Sequence, residues 1–231
     1  MESVLQLKDG YKSWKTGGSP CVCLKGVSLE IYAGQSLAVV GPSGCGKSTL
    51  LHALSLLTPL DAGSIRLLGR EVSARRHGAN PAVRSSFGLV FQDGKLIPSL
   101  SVLENVCVPL IHRGVRWSRQ KALAGEMLEK MGLSHRLNHQ TRHLSGGEQI
   151  RVAIARALVL DPAIVLADEP TGTLDLKMGM QVANLLFAIA RENRALVMVT
   201  HNETLARQAD RMVRMVDGSV TIETQAGCIE T

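Results

Sequence analysis

Hydrophobic and polar positions along this chain switch between the period of a strand and that of a helix. Val27-Ser-Leu-Glu-Ile31 alternates apolar and polar, the signature of a half-buried strand. Ser36-Leu-Ala-Val-Val40 is nearly all apolar and runs into Gly41, which suits a strand covered on both faces of a parallel sheet. A glycine-rich loop follows, then a helical stretch from Lys47 to Leu57. Beyond Gly63, Ile65-Arg-Leu67 alternates again, and Phe87-Gly-Leu-Val-Phe91 is a further strand. In the middle third, Ser101 and Glu104 have capping-box spacing, so each side chain can satisfy the other residue's exposed backbone donor and open a helix. Ser118 to Met131 places Ala122, Leu123, Met127, Leu128 and Met131 on one helical face, and Gly132 stops it. From Ala163 the alternation of buried strand and helix returns. Ile164-Val-Leu-Ala167 and Ala195-Leu-Val-Met-Val199 read as buried strands, with a helix from about Met178 to Glu192 between them, and Asp217-Gly218 marks a hairpin. The pattern predicts an α/β core interrupted by a helical insert over about residues 93–162.

Composition narrows the class. With 231 residues, 45% hydrophobic and 20% charged, the chain is globular rather than disordered or collagen-like, and forms one large domain or one with a subdomain. No apolar run approaches the roughly 20 residues that span a bilayer, and the first residues lack the basic-then-apolar order of a secretory signal. Cys21, Cys23, Cys45, Cys107 and Cys228 are odd in number and irregular in spacing, which argues for free thiols and a reducing, cytosolic compartment. The net charge of +6 admits an anionic partner. With aromatics at 3% and no cluster of Lys and Arg interleaved with them, the basic residues read as a spread, solvated surface, and no nucleic-acid partner is expected.

Three strings carry chemistry. Gly41-Pro42-Ser43-Gly44-Cys45-Gly46-Lys47-Ser48 matches G-x-x-x-x-G-K-[ST] between a buried strand and a helix, the context this motif requires. Its glycines let backbone N–H groups converge on phosphate oxygens at the positive end of the helix; Lys47 can reach the β- and γ-phosphates and Ser48 can ligate Mg2+. Ile164 to Ala167 ends in Asp168 and Glu169, adjacent carboxylates that a buried strand does not need for stability. Mg2+ would compensate Asp168, and Glu169 could polarise a water for attack on the γ-phosphate. His201 ends another buried strand, at the edge where α/β sheets bind ligands. Leu144-Ser145-Gly146-Gly147-Glu148-Gln149 offers a second phosphate-binding helix start, informative only if it serves a different nucleotide or a different subunit.

On these strings the chain resembles the ATP-binding subunit of ATP-binding-cassette (ABC) transporters over essentially its full length. The resemblance implies a P-loop NTPase (RecA-like) core with an antiparallel β subdomain, over about residues 1–92 and 163–231, and an inserted α-helical subdomain over about residues 93–162. It implies that Gly41 to Ser48, with Thr49, is Walker A; that Asp168 ends Walker B; that Glu169 is the catalytic glutamate; and that Gln92 is the Q-loop residue that touches Mg2+. Leu144 to Gln149 would be the signature, Leu174-Asp175 the D-loop and His201 the switch histidine, with Trp14 where the family stacks a tyrosine on adenine. The family's working form is a head-to-tail dimer in which each ATP lies between Walker A of one copy and Ser145 to Gly147 of the other. Its partners are integral membrane permease subunits, which places the chain peripherally on the cytoplasmic face of the inner membrane.

Asp168-Glu-Pro-Thr-Gly-Thr-Leu-Asp175 is similar to the branch that holds lipoprotein-releasing, macrolide-export and cell-division complexes. It implies an Mg2+-dependent ATPase that moves a lipidated or amphipathic cargo; a mechanical signal transmitter and a solute importer are the alternatives. Soluble cassettes of translation or repair carry two cassettes or a long coiled coil, for which 231 residues leave no room. Two positions depart from the family pattern: Ile150, where Gln usually precedes Arg151, and Asn202, where Asp often follows the histidine.

Overall fold

The computed structural model describes residues 3–16, 19–73 and 80–223. Two sheets organise the chain. Strands β1 (Ser3–Thr16), β2 (Ser19–Tyr32), β4 (Ala62–Leu67) and β5 (Arg70–Val72) form an antiparallel sheet in the order β2-β1-β4-β5. Strands β3 (Ser36–Val40), β6 (Phe87–Phe91), β7 (Ile164–Asp168), β8 (Ala195–Thr200), β9 (Arg211–Val216) and β10 (Ser219–Glu223) form the second, ordered β10-β9-β3-β8-β7-β6. It is parallel from β9 to β6, and β10 turns back through the predicted Asp217-Gly218 hairpin.

The continuous apolar runs are explained by burial on both faces. Along β7, Ile164 and Leu166 face one core while Val165 and Ala167 face another, and β8 divides in the same way. The first core lies between the two sheets and encloses helix α1 (Lys47–Leu54), whose Leu50, Leu51 and Leu54 pack with Leu5, Leu7 and Ile31. The second lies beneath helices α3 (Val102–His112), α4 (Trp117–Lys130), α5 (Gly146–Leu158) and α6 (Leu176–Arg191). Short helices α2 (Pro81–Arg84) and α7 (Glu203–Ala206) complete the chain. α3 starts at the predicted capping box: Ser101 Oγ accepts from Glu104 N–H, and the Glu104 carboxylate accepts from Ser101 N–H at 2.8 Å.

Four expectations are corrected. The N-terminal fourteen-residue strand β1 has no counterpart in the sequence reading, because its alternation is broken at Asp9-Gly10, where the register shifts against β2. α1 ends at Leu54 rather than Leu57, since Leu56 takes a left-handed backbone with φ 59°. On α4, Ala124 rather than Ala122 reaches the core, and Gln120 is buried beside it. The basic residues are not evenly spread: His112, Arg113, Arg116, Arg119 and Lys121 are all exposed at the α3–α4 turn, with Trp117 among them. Cys21, Cys23, Cys45 and Cys107 are free thiols as expected, and Cys228 lies outside the described residues. Among the described residues, no helix is long and apolar enough to cross a membrane.

Asn105 of α3 is fully buried and organises the segment that leads into that helix. Its carbonyl accepts from Ile97 N–H at 2.8 Å, and its amide donates to the Ile97, Leu100 and Ser101 carbonyls. Asn105→Ala leaves these partly buried backbone groups without their partner and is expected to lower unfolding free energy by about 2–3 kcal/mol, measured by chemical denaturation.

Candidate functional site

Strands β3, β7 and β8 are buried on both faces and can release polar side chains only at their ends, and together with β6 they end at one edge. The loop after β3 carries Gly41 to Gly46, β6 is followed by Gln92, β7 closes with Asp168 and is followed by Glu169, and β8 runs into His201. Ligands of open α/β sheets bind outside this carboxyl edge. An open cleft of about 430 Å3 lies there, lined by Ser43, Gly44, Gly46, Lys47, Ser48, Thr49, Gln92, Glu169 and His201. Cys23 joins them from β2.

The loop's geometry depends on its glycine at position 46. Gly46 caps α1 at φ 107°, and a side-chain carbon there would meet the Cys23 carbonyl oxygen at 2.3 Å. The loop is thereby clamped to β2, with α1 opening behind it. Lys47 is buried and donates to the carbonyls of Gly41 at 2.8 Å and Pro42 at 2.9 Å, using two of its three donors to hold the loop. Ser48 Oγ donates to Asp168 Oδ1 at 3.2 Å, joining the P-loop to the end of β7.

Glu169 stands in a left-handed backbone conformation with φ 48°, rare for a residue other than glycine. Its N–H is tied to the Val199 carbonyl at 2.9 Å. Its Oε2 lies 2.8 Å from His201 Nδ1 and accepts from His201 N–H at 3.3 Å. Strain of this kind is kept where the surroundings over-determine it and concentrates at functional sites. Gln92 borders the same space, its amide 2.9 Å from where a side chain on Gly172 would begin.

Ser48, Asp168 and Gln92 present oxygen atoms, with one carboxylate among them. No group of three or more His, Cys, Asp or Glu able to hold a metal occurs among the described residues. Such a set fits Mg2+, which takes one or two carboxylates and completes its shell with water and substrate phosphate.

Three predicted elements lie outside this cleft. Ser145 caps α5 through a second capping box, its N–H donating to Glu148 Oε2 at 2.8 Å, while Gln149 donates to the Leu144 carbonyl. Gly147 packs so closely on Met178 of α6 that a side-chain carbon would meet it at 2.5 Å. Asp175 caps α6, accepting from Met178 N–H at 2.9 Å. Trp14 is 45% exposed on β1, with Lys12 Nζ 4.9 Å from its ring centre, and does not line the cleft. Ile150 is buried in the helical core, and Asn202 caps α7 through Leu205 N–H, so both departures have structural uses.

Two residues that bear on the site are not assigned to it by the sequence. Cys23 lines the cleft from the alternating strand β2, and burial pushes its thiol above the ordinary range. Arg156 of α5 donates to the carbonyls of Gly94 at 2.6 Å and Lys95 at 2.7 Å, gripping the turn just after Gln92. An arginine inside an amphipathic helix gives no sequence signal of such a task.

Residues 24–172 match the ABC transporter family. A lipoprotein-releasing system ATP-binding protein LolD 1 of Rhodopirellula baltica is 46% identical over 94% of this chain and 96% of that protein. A macrolide export ATP-binding/permease protein MacB of Chlorobium luteolum is 45% identical over 94% of this chain, which spans 33% of that longer protein. The bacterial ABC transporter cassette MJ0796 superposes in two dimeric structures. In the first, the TM-score is 0.87 at 36% identity over 97% of this chain and all of that one. In the second, bound to ADP and Pi after hydrolysis, the TM-score is 0.86 at 35% identity over the same shares. The fold and cleft define a P-loop ATPase cassette. The chain belongs to the ABC transporter family and is its ATP-binding, ATP-hydrolysing subunit.

Two outcomes test this geometry. Gly46→Ala combines a disfavoured backbone with the Cys23 clash and is expected to remove at least about 2–3 kcal/mol of stability together with nucleotide affinity, read by denaturation and equilibrium binding. The N–H of Ser145 holds the Glu148 carboxyl below its ordinary value of 4.5. Because the folded value is depressed, the stabilisation is present above about pH 4.5 and disappears as pH falls through the folded value. Glu148→Gln should therefore weaken the protein at neutral pH and converge with wild type in acid, in paired denaturation curves.

Proposed function

We propose that the chain works as one of two copies in a head-to-tail dimer and powers a membrane permease that releases or exports a lipidated or amphipathic cargo. The observation that carries the dimer is the separation of two phosphate-type helix starts. Gly46 opens onto the cleft, whereas Ser145 and Gly146 are exposed and line no part of it. A second copy of the chain supplies what the cleft lacks, with Leu144 to Gln149 closing over the nucleotide from the partner. ATP is then part of the interface, so its hydrolysis removes contacts that hold the closed state.

Within the cleft, the backbone of Gly41 to Gly46 cradles the phosphates, with Cys45 and Pro42 as fillers of the loop, and Lys47 exchanges its carbonyl partners for phosphate oxygens. Ser48, Gln92 and Asp168 would hold Mg2+, which supplies neutralisation of phosphate charge when bound. Glu169 orients and deprotonates the attacking water, and His201 fixes the Glu169 carboxylate and faces the γ-phosphate. Trp14 presents an exposed indole for the adenine ring. Asp175 acts at the seam between copies, next to the signature through Met178.

Residues 93–162 act as the helical unit that meets the permease. A groove of about 510 Å3 between β6 and the end of α3, lined by Phe87, Leu89, Pro109, His112 and Arg113 among others, supports docking there. The kinship to LolD and MacB proteins supports lipoprotein release or export over solute import, and with a membrane permease as partner the subunit works peripherally, on the cytoplasmic face of the inner membrane in this reading.

Glu169→Gln tests the whole reading. Turnover should fall at least about a hundredfold while ATP affinity is retained, because proton transfer is lost and the phosphate cradle is kept. The variant should form ATP-dependent dimers and co-purify from gently solubilised membranes with a permease of few spans and a large extracytoplasmic domain. Undiminished hydrolysis would refute Glu169 as base, and a many-span permease with a solute-binding protein would move the reading to import.

A further inference from the structure

The turn between α3 and α4 carries more positive charge than any function assigned above requires. Arg113, Arg116, Arg119 and Lys121 are exposed within nine residues, His112 adjoins them, and no Asp or Glu occurs from residue 105 to residue 125. None of the four pairs with a carboxylate among the described residues. At the tip of the same turn stand two large apolar side chains, Ile111 at 55% and Trp117 at 49% exposure. Lys121 Nζ lies 5.6 Å from the Trp117 ring centre, and the buried Gln120 amide donates to the Val115 carbonyl, bracing the turn.

Local stability runs against this arrangement. α3 and α5 begin with Ser–Glu capping boxes, whereas α4 has no side-chain cap and no acidic residue in its first turn. Arginines at the start of α4 reinforce the positive end of the helix dipole instead of offsetting it. An external anionic surface would relieve the repulsion. Exposed tryptophan beside aliphatic and arginine side chains is the composition of a membrane-interface contact, the rings entering the headgroup layer and the cations meeting phosphate.

We propose that the α3–α4 turn binds the anionic lipid headgroups of the membrane, with Arg116, Arg119 and Lys121 meeting phosphates and Trp117 lodging among them. His112 and Arg113 link this turn to the groove at the end of α3, so its orientation toward the bilayer rests on the proposed permease docking there. A nucleic-acid surface fits less well, since the turn is a tip with one aromatic ring and lacks a groove in which successive bases could stack.

The test uses the full-length protein and phosphatidylcholine vesicles with or without phosphatidylglycerol. Wild type should float with the anionic vesicles only and be released by salt. Each exchange among Arg116→Gln, Arg119→Gln and Lys121→Gln should lower the partition coefficient about fivefold, while Arg116→Lys and Arg119→Lys preserve it. In a Trp14→Phe background, emission from Trp117 should shift to the blue on binding. Basal ATP hydrolysis of the triple glutamine variant should match wild type, which separates loss of lipid contact from misfolding and from failure of the ATPase reading. No preference for anionic vesicles, or undiminished flotation of the triple variant, would overturn the proposal. Binding of single-stranded RNA through these residues without vesicle binding would replace it with a nucleic-acid surface.

Discussion

Burial of strands β3, β7 and β8 on both faces confines their polarity to the strand ends. Ala38, Val39, Val165, Leu166, Leu196 and Val197 are shut between two apolar layers, so a charged side chain placed among them would face an uncompensated desolvation cost. At the carboxyl edge that restriction lifts. Because β3, β6, β7 and β8 are adjacent and parallel, lifting it at once for all of them gathers Lys47, Gln92, Glu169 and His201 into a single cleft, with Asp168 joined to its edge through Ser48. The cleft is thus a consequence of strand order, and its chemistry needs little besides the identity of the residue after each strand.

Pattern reading recovered what depends on local chemistry and missed what depends on contacts distant in sequence. The buried strands at Ser36, Ile164 and Ala195 were legible because double-sided burial leaves an uninterrupted apolar run, and the edge strand at Phe87 because it too is apolar throughout. The P-loop, the acidic pair and Ser145 were legible because phosphate and cation binding demand particular residues at fixed spacing. β1 was not, because its partners β2 and β4 force a bulge at Asp9-Gly10 that destroys the period of two. On α4, Ala122 and Ala124 are two residues apart and so point to opposite sides of the helix; Ala124, four residues before the buried Leu128, is the one that meets the core. Cys23 entered the cleft through the approach of β2 to Gly46, a tertiary contact with no local signature.

The basic turn was overlooked for a different reason. Composition averages charge over the chain, and a net +6 distributed among 26 basic and 20 acidic residues looks unremarkable. What separates residues 112–121 is the absence of compensating acids nearby and the exposure of Ile111 and Trp117, neither of which an average registers.

The two ends of α5 connect these features. Its first turn carries Ser145 to Glu148, packed through Gly147 on Met178 and so on the Asp175 cap of α6. Near its last turn, Arg156 holds the carbonyls of Gly94 and Lys95, immediately after Gln92. Arg156 is half-buried, and desolvation draws its guanidinium below the ordinary arginine range, so its two carbonyl bonds offset part of what that burial costs. A shift of α5 relative to the sheet would therefore have to move the Gln92 turn with it or leave this guanidinium unpartnered. In the proposed dimer, engagement of Ser145 with a partner's nucleotide acts on the first turn of α5, and the Arg156 grip carries that displacement to the edge of the permease groove. A packed helix whose cap would contact nucleotide in the proposed dimer, and whose far end holds the Gln92 turn through Arg156, couples the two only by moving as one body.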